Sequence, residues 1–279
     1  MQRKISFYIS LFVVTAAFFL PGCNNRNDPE DKIEIAVTNS YLQCAVKDLY
    51  GDEKDIFCLV PPGMCPGHFD ISPLQINQLS KSKILLLFDF QQKVEHSLAG
   101  LKERGLKTSL IKSMPGMCVP DVYLATCRDV CNVLSAEFPE EKNIFEKRLT
   151  VIDKRMKNLG DNLREEIQKA GLDSVKVVAS GHQSEFANWL GLETIAMFSG
   201  SDTETAFNIN ECINKAKEQG VKFIIANKQE GTYLADSLAD RLDVKTVIFS
   251  NFPESTEGLI GFDELLRQNL NALIEAARK

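Results

Sequence analysis

A long charged segment at residues 139–170 separates two blocks in which short apolar runs alternate with helical patterns. Its apolar residues, among them Ile152, Leu159 and Ile167, recur near the 3.6-residue period of an amphipathic helix. A single helix of this length would extend about 45 Å at 1.5 Å per residue, and Gly171 is suited to end it. The sequence therefore predicts two structural halves connected by one long helix.

Both blocks alternate strands with helices, one of the helices being expected at residues 92–104. This alternation favours parallel sheets covered by helices on both faces. The predicted fold class is α/β, with two lobes, each a parallel sheet flanked by helices, joined by one long helix. We predict strands at 33–37, 55–60, 84–88 and 108–111 in the first block and at 175–179, 193–197, 221–226 and 245–250 in the second. The predicted boundaries are 33–138 for the N-terminal lobe, 139–171 for the linking helix and 172–279 for the C-terminal lobe.

The N-terminus has the pattern of an export signal. A basic start precedes an apolar run at residues 5–20. This run is shorter than the roughly 20 residues that span a bilayer, although a transmembrane anchor is the alternative interpretation. The motif Leu20-Pro21-Gly22-Cys23 resembles the lipobox of bacterial lipoproteins, which implies a signal peptide at 1–22, a lipid on Cys23 and a tether at 23–32. The chain is thus expected to be exported and lipid-anchored at a bacterial cell membrane, on its periplasmic or outer face.

The charge and cysteine content limit the partners. The chain has 38 acidic and 32 basic residues, a net charge of −6, which argues against nucleic acid because phosphate contacts need a basic face. Of the eight cysteines, an odd number follows Cys23, so in an exported protein they cannot all pair internally. We expect three cysteines to be buried and a further pair to be either small buried hydrophobes or a metal-binding pair. The three are Cys44, Cys58 and Cys212; the pair is Cys127 and Cys131.

The tetrapeptide Pro-Gly-Met-Cys occurs twice, at residues 62–65 and 115–118. Each copy follows a predicted strand, and the first copy leads directly to His68. A third loop after a strand carries His182. Ligands of open α/β sheets bind outside the carboxyl ends of the strands, so we expect these three loops to face one cleft between the lobes.

Two motifs carry a family resemblance. The stretches Leu59-Val60-Pro61-Pro62-Gly63 and His68-Phe69-Asp70-Ile71-Ser72-Pro73 resemble the solute-binding lipoproteins of zinc/manganese-class ABC importers, the TroA-like group. The resemblance covers nearly all of the chain after Cys23 and implies the bilobed fold and a role in metal import.

The resemblance also implies positions for the metal ligands. The first family histidine corresponds to His68 and the third to His182, whereas Asp121 stands where the family has its second histidine. The fourth, acidic ligand falls within residues 227–230, which include Asn227 and Glu230. The usual histidine-rich loop is missing, and Met64, Cys65, Met117 and Cys118 mark a divergent branch.

Cys65, His68, Cys118 and His182 together offer two thiolates and two imidazoles, a set that suits tetrahedral zinc. Thioether ligation by Met64 and Met117 would shift the preference toward monovalent copper. Several alternatives stay open: a Cys65–Cys118 disulfide, packing of both methionines into the cleft wall, and a helix-capping role for His182. Supporting oxygen ligands, or partners that orient a histidine, are expected at Asp121, Glu230 and, more weakly, Asn227, whereas His96 is expected on the surface.

The predicted function is that of an extracytoplasmic substrate-binding lipoprotein, a monomer that captures a transition-metal ion and delivers it to a cognate ABC permease. Zinc is the favoured ion, with copper, manganese, iron, cobalt and nickel left open. The alternatives are a receptor of the same fold for a metal chelate such as a siderophore, haem or corrinoid, and a surface adhesin. No enzymatic activity is expected, since the sequence contains neither a phosphate loop nor a nucleophile elbow.

Overall fold

The computed structural model describes residues 34–51, 54–60, 70–200, 204–254 and 261–278. All of these described residues belong to one compact unit. It contains two four-stranded parallel sheets with helices on their faces and one long helix, which confirms the predicted α/β fold class. The predicted export signal, the predicted lipidation site Cys23 and the first Pro-Gly-Met-Cys copy lie outside the described residues.

The first sheet has the strand order β2-β1-β3-β4, and all its pairs are parallel. Every side chain of β3 is buried, because helices cover both faces of this strand, as its continuous apolar run indicates. The strands are β1 (Ile35–Val37), β2 (Ile56–Cys58), β3 (Ile84–Phe88) and β4 (Lys107–Ile111). Its helices are α1 (Ser40–Tyr50), α2 (Pro73–Leu79), α3 (Gln92–Ser97), α4 (Ala99–Lys102) and α5 (Pro120–Glu137).

The second sheet has the order β6-β5-β7-β8 and is also parallel. One of its two inner strands, β7, is buried along its whole length. The strands are β5 (Lys176–Ser180), β6 (Glu193–Phe198), β7 (Phe223–Asn227) and β8 (Lys245–Phe249). The helices are α7 (Ser184–Leu190), α8 (Ala206–Gln219), α9 (Tyr233–Leu242) and α10 (Phe262–Arg278). We call the first sheet with its helices the first lobe and the second sheet with its helices the second lobe.

The linking helix α6 (Lys142–Lys169) follows a short 3-10 turn at Pro139–Glu141. Its 28 residues correspond to about 42 Å. Gly171 has a φ of +68° just beyond the helix, the left-handed conformation in which glycine commonly ends a helix. The exact lobe boundaries stay predictions.

The helix predicted at 92–104 is instead broken into α3 and α4 at Leu98. The Leu98 side chain is buried among the apolar residues on one face of the first sheet, and Gly100 follows two residues later. Leu98 leaves the helical conformation, with φ −96° and ψ 11°, as its side chain packs into this cluster.

Two aromatic residues of the first lobe pack against the last helix of the chain. The ring of Phe262, the first residue of α10, stacks on Tyr123 of α5 with centroids 3.8 Å apart. It also meets Tyr41 of α1 edge-on at 5.7 Å. All three side chains are fully buried, so α10, which packs on β8 of the second lobe, also contributes to the core of the first.

A charged cluster connects α1, α5 and α10 with the linking helix α6. Arg155 of α6 forms a bidentate ion pair with Asp48 of α1, and its Nε lies 3.2 Å from the carboxylate of Asp263 on α10. Tyr123 donates a hydrogen bond to the Asp48 carboxylate at 2.6 Å. The linking helix is therefore tied to both lobes rather than only to its own ends.

Each cysteine in the described part of the chain carries a free thiol. Cys44, Cys127, Cys131 and Cys212 are buried, as expected. The expectation for Cys58 was wrong, because this residue is only half-buried. It lies on β2, an edge strand of the first sheet, where one flank of the strand has no neighbouring strand among the described residues.

Candidate metal site at the strand ends

The carboxyl ends of β5, β7 and β8 lie side by side in the second sheet. The loop after β5 carries His182, the 3-10 turn after β7 carries Glu230, and the segment after β8 carries Asn251. Because parallel strands end at the same edge, residues distant in sequence meet here.

His182 and Glu230 form the central pair of the site. The imidazole Nε2 lies 3.5 Å from the carboxylate Oε1. His182 exposes 67% of its side chain and Glu230 exposes 20%. Two ligands that bind one tetrahedral zinc at 2.0–2.1 Å are separated by about 3.3 Å, so this pair needs little movement to share a cation.

The predicted oxygen ligand Glu230 is held by a buried partner. The Ser180 hydroxyl donates to its other carboxylate oxygen, Oε2, at 2.5 Å, and Ser180 is fully buried at the end of β5. The alternative role of His182 as a helix cap is not seen, because the N-cap residue of α7 is Gln183.

Beneath this pair lies a cluster of buried amides. Gln183 Nε2 donates to the side-chain oxygens of Asn227 at 3.1 Å and of Asn251 at 3.0 Å. The Gln183 Oε1 atom is buried and has no hydrogen-bond partner among the described residues. Asn227, predicted as a weaker oxygen ligand, thus already uses its side-chain oxygen to join β7 to the loop after β5.

Cys118 lies at the contact between the lobes. Its thiol is fully buried and donates to the Ser250 carbonyl at 3.1 Å. Asn251 Oδ1 lies 3.5 Å from the sulfur, and Asn269 Nδ2 approaches it at 3.7 Å. Burial raises the pKa of the Cys118 thiol far above its ordinary value, so the sulfur is a neutral hydrogen-bonding group in this structure.

The described residues contain no group of three or more histidine, cysteine or acidic side chains placed to hold a metal. Cys118 is therefore not gathered with His182 and Glu230 here, and its role as a ligand stays a prediction. The predicted ligands Cys65 and His68, together with Met64, lie outside the described part of the chain.

The second Pro-Gly-Met-Cys copy allows the lobes to approach closely. Gly116 has a φ of +75°, and a Cβ built there would lie 3.0 Å from Cβ of Glu185 on α7. Met117 packs partly buried against the core, and its carbonyl accepts a hydrogen bond from Tyr41 at 2.8 Å. The partly buried position of the Met117 side chain agrees with the alternative in which this methionine packs into the wall of the cleft.

Asp121 is exposed in the first turn of α5. A carboxylate at this position favours the helix through the partial positive charge of the N-terminus. Its predicted part in the metal site stays a prediction.

Sequence reasoning named His182 and Glu230 as candidates but missed three polar residues that surround them. Ser180, Gln183 and Asn251 are all buried at strand ends. Their position directly after apolar runs was the available signal. Neutral polar residues are so frequent in such loops that the signal carries little weight alone.

A helix that crosses a bilayer needs about 20 predominantly apolar residues. None of the helices in the described ranges combines the necessary length and apolarity.

Known proteins resemble this chain in sequence. A candidate metal-binding protein from Thermotoga maritima is 25% identical over 88% of this chain and 93% of its own length. The zinc-binding lipoprotein AdcA of Streptococcus pneumoniae is 22% identical over 98% of this chain, which spans 60% of AdcA. The manganese ABC transporter substrate-binding lipoprotein PsaA of the same species is 20% identical over 64% of this chain and 66% of its own.

Solved structures share the fold at low identity. A crystal structure of ZnuA superposes with a TM-score of 0.71 at 17% identity, covering 88% of this chain and 98% of that one. The manganese-bound periplasmic metal-binding protein of Candidatus Liberibacter asiaticus gives 0.73 at 13% identity, covering 87% and 98%. The family model described as ZnuA, zinc-uptake complex component A, periplasmic, matches residues 119–276, more than half of the chain. The chain therefore belongs to the ZnuA family of periplasmic zinc-uptake components.

Proposed function

We propose that this protein is the substrate-binding lipoprotein of an ABC importer and that it captures a transition-metal ion, zinc by preference, between its lobes. The observation that carries the proposal is the His182–Glu230 pair, 3.5 Å apart. Membership in a zinc-uptake family and likeness to zinc- and manganese-binding lipoproteins support the same role. The ion is cargo, and the protein is not an enzyme.

The remaining ligands are proposed to come from the first lobe. Cys65 and His68 belong to the segment between β2 and α2. The two flanks of that segment are hydrogen-bonded to each other, because Gln75 of α2 donates to the carbonyl of Leu59 at 2.7 Å. Together with His182 and Glu230, they would complete one thiolate, two imidazoles and one carboxylate, a set compatible with four-coordinate zinc.

The high exposure of His182 leaves an entry route for the hydrated ion. Large lobe movements are opposed by the Phe262 stack and the Arg155 ion cluster, so capture is proposed to proceed by small shifts of the loops at the strand ends. The lipid on Cys23 would hold the protein at the membrane, where its permease is found.

Zinc titration against a competing fluorescent chelator tests the proposal. His182→Ala and Glu230→Gln should each weaken zinc binding by more than about 100-fold, since changes to groups that merely support ligands already cost 10–100-fold. The matched control is His96→Ala, because His96 is an exposed histidine on α3 of the other lobe. Equal zinc affinity in the wild type and in His182→Ala would refute the site.

A further inference from the structure

Glu230 is placed by contacts on two sides. It ends the 3-10 turn Lys228–Glu230 and is followed by Gly231 with a φ of +80°. A carboxylate on so short a turn has several rotamers and would lose side-chain entropy when it binds an ion. The first contact that restricts it is the 2.5 Å hydrogen bond from Ser180 to Oε2.

Ser180 connects both candidate ligands. Its hydroxyl oxygen also accepts a hydrogen bond from the backbone N–H of His182 at 3.3 Å. Ser180 itself ends β5, which pairs with both β6 and β7. One buried hydroxyl therefore fixes the carboxylate of Glu230 relative to the start of the His182 loop.

Gly200 borders the other oxygen. A Cβ built at Gly200 would lie 3.2 Å from Glu230 Oε1 and 3.7 Å from its carboxyl carbon. Oε1 is the oxygen that faces His182. A side chain at position 200 would press on the atom that is placed to bind the ion, and glycine leaves that space open.

We propose that Ser180 is a positioning residue that makes Glu230 a one-oxygen ligand and thereby favours small tetrahedral ions over larger ones. The inference rests on the proposed function. With Oε2 bonded to Ser180, only Oε1 is presented beside the His182 imidazole. Zinc accepts four ligands in this way, whereas manganese prefers oxygen-rich, octahedral sites and would gain more from a carboxylate free to bind through both oxygens.

The test compares Zn²⁺ and Mn²⁺ affinity by chelator competition in Ser180→Ala, Glu230→Gln and the double variant. Ser180→Ala should weaken zinc binding by about tenfold or more and weaken manganese binding less, so the zinc-to-manganese affinity ratio falls. In the Glu230→Gln background, Ser180→Ala should have no further effect, because the serine acts through that carboxylate.

Ser113→Ala is the matched control. Ser113 donates to the Asp89 carboxylate at 2.6 Å in the first lobe, so it forms the same kind of serine–carboxylate hydrogen bond beside the other sheet. Ser113→Ala should leave the zinc-to-manganese affinity ratio unaltered. If Ser180→Ala does not fold, Gly200→Ala provides the second test, with the same fall in zinc affinity expected from pressure on Oε1.

Three results would overturn the proposal for Ser180. One is an equal loss of zinc and manganese affinity, another is an equal effect of Ser180→Ala with and without the Glu230 carboxylate, and the third is an unchanged zinc affinity in Glu230→Gln. In the third case, a loss of zinc affinity in His182→Ala would still support the proposed function. Failure of the proposal for Ser180 can therefore be distinguished from failure of the proposed function.

Discussion

Replacement of Cys118 distinguishes two roles for its thiol, a metal ligand and a hydrogen-bonding group at the contact between the lobes. In the structure its thiol is a hydrogen-bond donor at the lobe contact, and the Ser250 carbonyl that accepts from it also accepts from Asn269 at 2.9 Å. Cys118→Ala would thus leave no orphaned carbonyl. The change removes one buried heavy atom, which should lower the free energy of unfolding by about 0.5–1.5 kcal/mol by analogy with Ile→Val. The lost neutral hydrogen bond should add at most about 1 kcal/mol.

We therefore expect Cys118→Ala to lower the free energy of unfolding by about 1–2 kcal/mol, measured by urea denaturation of the metal-free protein. Zinc affinity should change by less than tenfold, which corresponds to about 1.4 kcal/mol. Cys118→Ser retains a donor for the Ser250 carbonyl and should recover part of the lost stability. Cys127→Ala serves as the control, because Cys127 is equally buried on α5.

The opposite result has a clear meaning. If Cys118→Ala and Cys118→Ser both reduce zinc affinity by more than about 100-fold while Cys127→Ala does not, the thiol ligates the ion in the loaded state. The lobe contact would then have to open on metal binding, and the reasoning from the buried hydrogen bond would be refuted.

Two further predictions concern stability. Phe262→Ala should lower the free energy of unfolding by about 3–5 kcal/mol, measured by urea denaturation. Phe207→Ala, at a residue that is 79% exposed, should lower it little. Equal losses would contradict the packing of α10 on the first lobe. Burial raises the pKa of the thiols of Cys44, Cys118 and Cys127. The contribution of each protonated thiol to folding stability is therefore fully present below the pKa of an unfolded thiol, about 8.5. Above it the unfolded state ionises first, and stability should fall by up to about 1.4 kcal/mol per pH unit per thiol. Denaturation at pH 8 and pH 10 under reducing conditions checks this, and a Cys→Ala change at one of these positions should flatten the slope.

The architecture was predictable because it follows from local patterns. The apolar run of β3 and the regular apolar spacing of α6 each indicate one element without reference to any distant residue. The break at Leu98 was not predictable in this way. It depends on burial against the first sheet, which a helical spacing of apolar residues cannot reveal.

The site was predictable only in part. His182 was named as a candidate from its place in a loop after a predicted strand, whereas Glu230 was named only through the family resemblance. Ser180 and Glu230 are 50 residues apart, and Cys118 meets Ser250 across 132 residues. Such contacts depend on strand order and lobe packing, so the sequence could place Cys118 on a loop but could not show which atoms surround it.

The position of Phe262 has a consequence for how the protein acquires its shape. Synthesis proceeds from the N-terminus, so the pocket formed by Tyr41 and Tyr123 is complete only when nearly the whole chain has emerged. A first lobe produced alone, or exchanged between relatives, would present this aromatic surface to water. Any chimera of two such proteins should therefore preserve the match between Phe262 and the first lobe, even though the two are joined by the chain only through the second lobe.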